Sequence, residues 1–86
     1  MTKFSVGDMV ISLCGHDKGR YLIVIAVDGD SIIVCDGKAR SAEKQKKKKI
    51  KHVKALGLHS DLINNLQPYE VDAKVRREIK RLRELI

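Results

Sequence analysis

The stretch "GDMVISLCGHDKGRYLIVIAVDG", residues 7–29, decides how this chain is read. Asp8 to Leu13 is a short apolar run entered through Gly7, and Arg20 to Val27 is a longer one rich in β-branched residues, so both predict strands. In the second run Tyr21, Ile23, Ile25 and Val27 fall on one face and Leu22, Val24 and Ala26 on the other. A strand that is apolar on both sides belongs at the centre of a sheet, with part of its second face covered. Asp28-Gly29 predicts a hairpin turn, because both residues tolerate the positive φ that tight hairpins need. Between the two runs, Gly15 and Gly19 let Cys14 to Arg20 fold tightly, with backbone amides expected to lie open beside Lys18 and Arg20. Lys offers a mobile point charge and Arg a bidentate fork, a pairing suited to phosphate.

Working outward, "SIIVC" reads as a third strand, Asp36-Gly37 as a second tight turn, "KARSAE" as a short fourth strand and "HVKAL", residues 52–56, as the last. Short strands with such brief connections predict a mainly β domain, a small SH3-like antiparallel barrel that is closed or nearly closed. After Gly57 the period changes. Ser60 is an N-cap for a short helix over Asp61 to Leu66, and Pro68 separates it from a second helix. In that second helix Val71, Val75, Ile79, Leu82 and Ile86 recur at helical spacing. About 15 residues of helix are marginal alone, so the apolar stripe is expected to dock on the barrel or on a partner. The division is a barrel over 1–57, including a lysine-rich segment at 44–54, and a helical extension over 58–86.

Charge is concentrated rather than spread. Of a formal net charge of +7, the segment from Lys38 to Lys54 carries nine basic residues against the single acid Glu43, so the rest of the chain is close to neutral. One cationic segment on a near-neutral body is the electrostatic outline of a protein that meets a polyanion on one side. Four consecutive lysines with no acid among them also predict a segment that is mobile when free. Aromatics make up only 3% of the 86 residues, and Phe4, Tyr21 and Tyr69 are scattered, which argues against a ring-rich sheet that stacks successive bases. A chain this short leaves little room for a large enzyme cleft, and nothing pairs a nucleophile with a base, so no enzymatic activity is expected. Cys14, His16, Cys35 and His52 match no zinc-ligand spacing, so no metal or other cofactor is expected and the cysteines read as thiols. No apolar stretch reaches membrane-spanning length and no signal peptide is recognisable, which makes the cytoplasm the expected location.

The stretch "VGDMVISLCGHDKGR" resembles the KOW motif of ribosomal proteins and transcription elongation factors: an apolar-Gly-Asp start, alternating apolar residues, a Gly, and a Lys-Gly pair opening the next strand. Taken with "VCDGKAR" and "KKKKIKHV", residues 4–56 look like the ribosomal L-fourteen-e-like branch of KOW proteins and their stand-alone bacterial relatives. Where many KOW motifs continue with a further Gly and Val, this chain has Tyr21-Leu22-Ile23-Val24. The resemblance implies a barrel that binds structured RNA, ribosomal RNA in the first place, through phosphate contacts. The residues expected to carry it are the loop Gly15, His16, Asp17, Lys18, Gly19 and Arg20, and the basic segment. In that segment they are Lys38, Arg40, Lys44, Lys46, Lys47, Lys48, Lys49, Lys51, His52 and Lys54. The stiff loop is expected to discriminate RNA shapes and the mobile lysines to add affinity. The alternative is a protein-interaction module of the translation or transcription machinery, docking through the terminal helix, with the lysines as secondary contacts. Phosphate neutralisation alone would equally serve DNA.

Overall fold

In a computed structural model, residues 4–38, 46–64 and 66–86 are described. Five strands, β1 (Asp8–Ser12), β2 (Tyr21–Asp28), β3 (Ser31–Cys35), β4 (Lys46–Lys49) and β5 (Val53–His59), form one antiparallel sheet in the order β4-β3-β2-β1-β5. A 3-10 turn, Ile50–His52, joins β4 to β5; a second, Asp61–Ile63, precedes the helix α1 (Pro68–Arg83). The connection proposed as a fourth strand, "KARSAE", lies outside the described residues except for Lys38.

β2 is the central strand, and its two faces feed two cores. Leu22 and Val24 join Val10, Ile32, Val34 and Val53 on one side, with Phe4 and Ile50 packed against them. Ile23 joins Met9 and Cys35 on the other, where Val75 and Leu82 of α1 and Ile63 cover them. The 2-residue period therefore sends alternate apolar side chains into separate layers. The alternation does not run to the end of the strand. The register of β2 against β3 shifts between Val24 and Ala26, and Val27 is exposed. The hairpin after β2 pairs Asp28 with Ser31, so its two-residue loop is Gly29-Asp30, one position beyond the expected Asp28-Gly29.

Three expectations are corrected. The sheet is not closed into a barrel: β4 and β5 are its two edges, linked by a 3-10 turn, and among the described residues no ladder joins them. Among the described residues there is one α-helix, where two were expected. Ser60 does cap, its Oγ accepting from Leu62 N at 3.2 Å, but only a 3-10 turn follows. Asn64 is already extended (φ −80°, ψ 145°), which ends the 3-10 turn, and Gln67 is extended again before Pro68, as the residue preceding a proline favours. The long helix begins at Pro68, because proline suits the first helical position and Gln67 with Glu70 forms a capping box. The last strand, expected over residues 52–56, is β5 over Val53–His59.

The helix is seated by a glycine and a buried carboxylate. Gly37 has φ +79°, and a Cβ there would collide with the Asp72 carbonyl oxygen and the Arg76 side chain, so only glycine lets α1 lie this close to the end of β3. Glu78, 2% exposed, accepts hydrogen bonds from Ser60 Oγ and from Arg81. The Arg81 bonds come first in holding the Glu78 carboxyl below its usual value, with Ser60 assisting against the opposing effect of burial.

Candidate nucleic-acid interface

The lysine run is a strand, and the strand's pleat divides it. Lys46 and Lys48 pair with Val34 and Ile32, whose side chains enter the core, while Lys47 and Lys49 pair with Ile33 and Ser31 and are exposed. Lys46 is half-buried, and Lys48 turns fully inward. Its Nζ donates to Ser12 Oγ at 2.8 Å and Cys14 O at 2.9 Å, and lies 3.0 Å from Asp17 Oδ1. The two side chains of this ion pair are 6% and 4% exposed. Ser12 Oγ lies 2.9 Å from Cys14 O and 3.2 Å from Asp17 Oδ1, so its proton can serve either acceptor. Burial would raise the Asp17 carboxyl; the Lys48 hydrogen bond and charge outweigh it, with help from the Asp17 backbone amide and Ser12, and hold it below its ordinary value.

Two site assignments change as a result. Lys48 and Asp17 sit inside the protein, where they tie β4 to the β1–β2 loop. Two lysines of the run have counterions: Asp17 pairs Lys48, and Asp28 lies 2.9 Å from Lys47 Nζ across the surface. No acid lies within the run itself; both counterions come from distant parts of the chain.

The 13–20 loop is tightly folded as expected, with Gly15 and Gly19 at φ +84° and +85°. The amides of Lys18, Gly19 and Arg20, however, are occupied. Lys18 N donates to Gly15 O, Gly19 N to Ser12 O at 2.8 Å, and Arg20 N to Asp17 O at 2.9 Å. At Lys18 to Arg20, phosphate contact therefore falls to side chains. Lys18 and His16 are exposed, and the Arg20 guanidinium, half-exposed, lies 3.5 Å from Asp36. Lys38 is exposed, its amide closing an Asx turn on Asp36 Oδ1 at 2.8 Å. Lys51 and Lys54 are exposed; His52 is half-buried, and its carbonyl accepts from Leu13 N at 2.9 Å. Arg40 and Lys44 lie outside the described residues. Among the described residues, Lys18, Lys38, Lys49, Lys51 and Lys54 make no ion pair.

Sequence reasoning gave little weight to the cations of α1. The structure sets Arg76, Arg77, Lys80 and Arg83 across from Arg20 and Lys38, the six of them lining an open cleft of about 1100 Å³. The signal was present as a basic stripe between the apolar positions of the helix; what was missing was which part of the sheet it would face.

Both cysteines are free. Burial first, then the charges of Asp72 and Asp36, pushes the Cys35 thiol up to about 12, which makes it a core side chain rather than a nucleophile. Among the described residues, no three His, Cys, Asp or Glu side chains are grouped to hold a metal ion, and no helix is long and apolar enough to cross a membrane. Neither a protein-family model nor a curated protein matches the chain.

Proposed function

We propose that this chain is an RNA-binding protein of the KOW type, built on an SH3-like scaffold, that neutralises phosphates of structured RNA and is not an enzyme. The strand order β4-β3-β2-β1-β5, with a 3-10 turn between β4 and β5, supports the scaffold. The resemblance of residues 4–56 to ribosomal KOW proteins supports RNA, and ribosomal RNA first, as the partner. The observation that carries the reading is that Lys18, Lys38, Lys49, Lys51 and Lys54 are exposed and have no acid partner among the described residues, in a chain whose charge is concentrated in the 38–54 segment. Unpaired surface cations have no internal stabilising role, and they keep their full charge for a polyanion.

Sedimentation of the native protein with ribosomes tests this. Co-sedimentation at low salt and release by a high-salt wash are expected. A protein that stays in the supernatant at low salt, or that co-purifies with a protein partner and no RNA, would contradict it.

A further inference from the structure

The cleft beside α1 differs in form from the lysine-bearing edge. One wall is the helix, with Arg76, Arg77, Lys80 and Arg83; the other is Arg20, at the end of the β1–β2 loop, with Lys38 after β3. Six cations line it against two carboxylates, Asp36 and Glu84. Three of the cations are fixed by the protein. Arg76 Nη1 donates to Gly37 O, Arg20 is held beside Asp36, and the Arg83 guanidinium lies over the Tyr21 ring, 4.7 Å from its centroid. Arg77, Lys80 and Lys38 have no acid partner among the described residues.

We propose that this cleft seats an unpaired RNA strand, its phosphates running between Arg77 and Lys80 on the helix and Lys38 opposite, with one base stacked on the outer side of the Arg83 guanidinium. The proposal rests on the RNA-binding reading and adds the form of RNA that this part of the surface takes. Charge complementarity selects a polyanion, and the concave shape selects a thin one. A duplex presents its phosphates on a broad convex cylinder with its bases enclosed, whereas a single strand can lay phosphates along both walls and turn a base inward. Arg83 supplies the seat for that base: the Tyr21 ring supports the guanidinium from below, Arg83 is exposed above, and a guanidinium plane stacks on bases as an aromatic ring does. A chain with few aromatics can thus still hold one base, without a ring-rich sheet.

The test uses the full chain and fluorescence anisotropy with three labelled probes: octaadenylate, an abasic strand of the same length, and an RNA hairpin with a fully paired stem. R77Q/K80Q is expected to weaken octaadenylate binding by about tenfold and hairpin binding by less than about twofold. R83K keeps the charge and removes the plane, so it should weaken octaadenylate several-fold and leave the abasic strand unchanged. Thermal melts verify that each variant is folded. Equal losses on all three probes, or no loss on any, would overturn the proposal. If the wild-type protein binds the hairpin and not octaadenylate, the cleft is not a strand seat while RNA binding stands. If it binds no RNA at all, the functional reading itself falls.

Discussion

Lys48 and Lys49 are adjacent in a uniform run, and the structure gives them opposite roles. Lys48 is one half of a buried ion pair, so Lys48→Ala would leave Asp17 charged and without its counterion, at a cost of about 3–5 kcal/mol. Lys49→Ala, at an exposed position, should change stability by less than about 0.5 kcal/mol. Urea denaturation separates the two, and similar midpoints would contradict the buried pair. The pair also sets an acid limb. The folded Asp17 carboxyl is held below its unfolded value, so its stabilisation is present above about pH 4 and is lost as pH falls through the folded value. His59 behaves with the opposite sign. Its Nδ1 lies 2.6 Å from Asp8 and its Nε2 3.2 Å from Asp61; the Asp8 hydrogen bond is the main cause of a raised imidazole value, with the charges of both carboxylates adding to it. That contribution is complete below about pH 6.5 and disappears as pH rises through the folded value. His59→Gln should therefore flatten the stability profile on the alkaline side of pH 6.5 and leave the acid limb set by Asp17, which melting curves across pH 3–9 would reveal. None of this pairing could be read from spacing, because Lys48 meets residues more than thirty positions away.

At the level of elements, β-branched runs and glycine turns were legible because they are local signals. The two-sided apolarity of "YLIVIAV" located the central strand correctly, and the helical spacing of Val75, Ile79 and Leu82 identified the face that packs. Composition alone gives the lysine run no secondary structure, while pairing with β3 makes Lys46–Lys49 an edge strand. Lysines on an edge also discourage pairing with other chains, so this strand has a structural use for its exposed charges as well. After Ser60 the cap is correct, but the backbone turns extended at Asn64, so only a 3-10 turn follows it. Two substitutions test how α1 is held. Leu82→Ala should cost about 2–5 kcal/mol, since Leu82 is 2% exposed and closes the core against Met9, Ile23 and Cys35. Gly37→Ala should cost more than about 1 kcal/mol, because φ is +79° and the added methyl meets the helix backbone. A Gly37→Ala protein as stable as wild type would mean the helix is free to move away from the turn.

For the molecule as a whole, total charge indicated a polyanion partner, but only the fold distinguishes cations occupied internally from cations left open. One lysine of the run is removed from the surface, Lys47 faces Asp28, and α1 contributes basic residues that the sequence left without a direction. The most direct measurement is affinity for a structured RNA as a function of salt, for the wild type, K49Q/K51Q and D17N/K48Q. About five phosphate contacts predict a wild-type slope of log affinity against log salt on the order of −3.5 to −4.5. Removing two exposed lysines should make that slope shallower by about 1.4 to 1.8. Removing the buried pair together should leave the slope unchanged in a protein whose melt shows it is folded. A nearly flat wild-type slope, or a D17N/K48Q slope that falls as far as that of K49Q/K51Q, would contradict the division between internal and RNA-facing lysines.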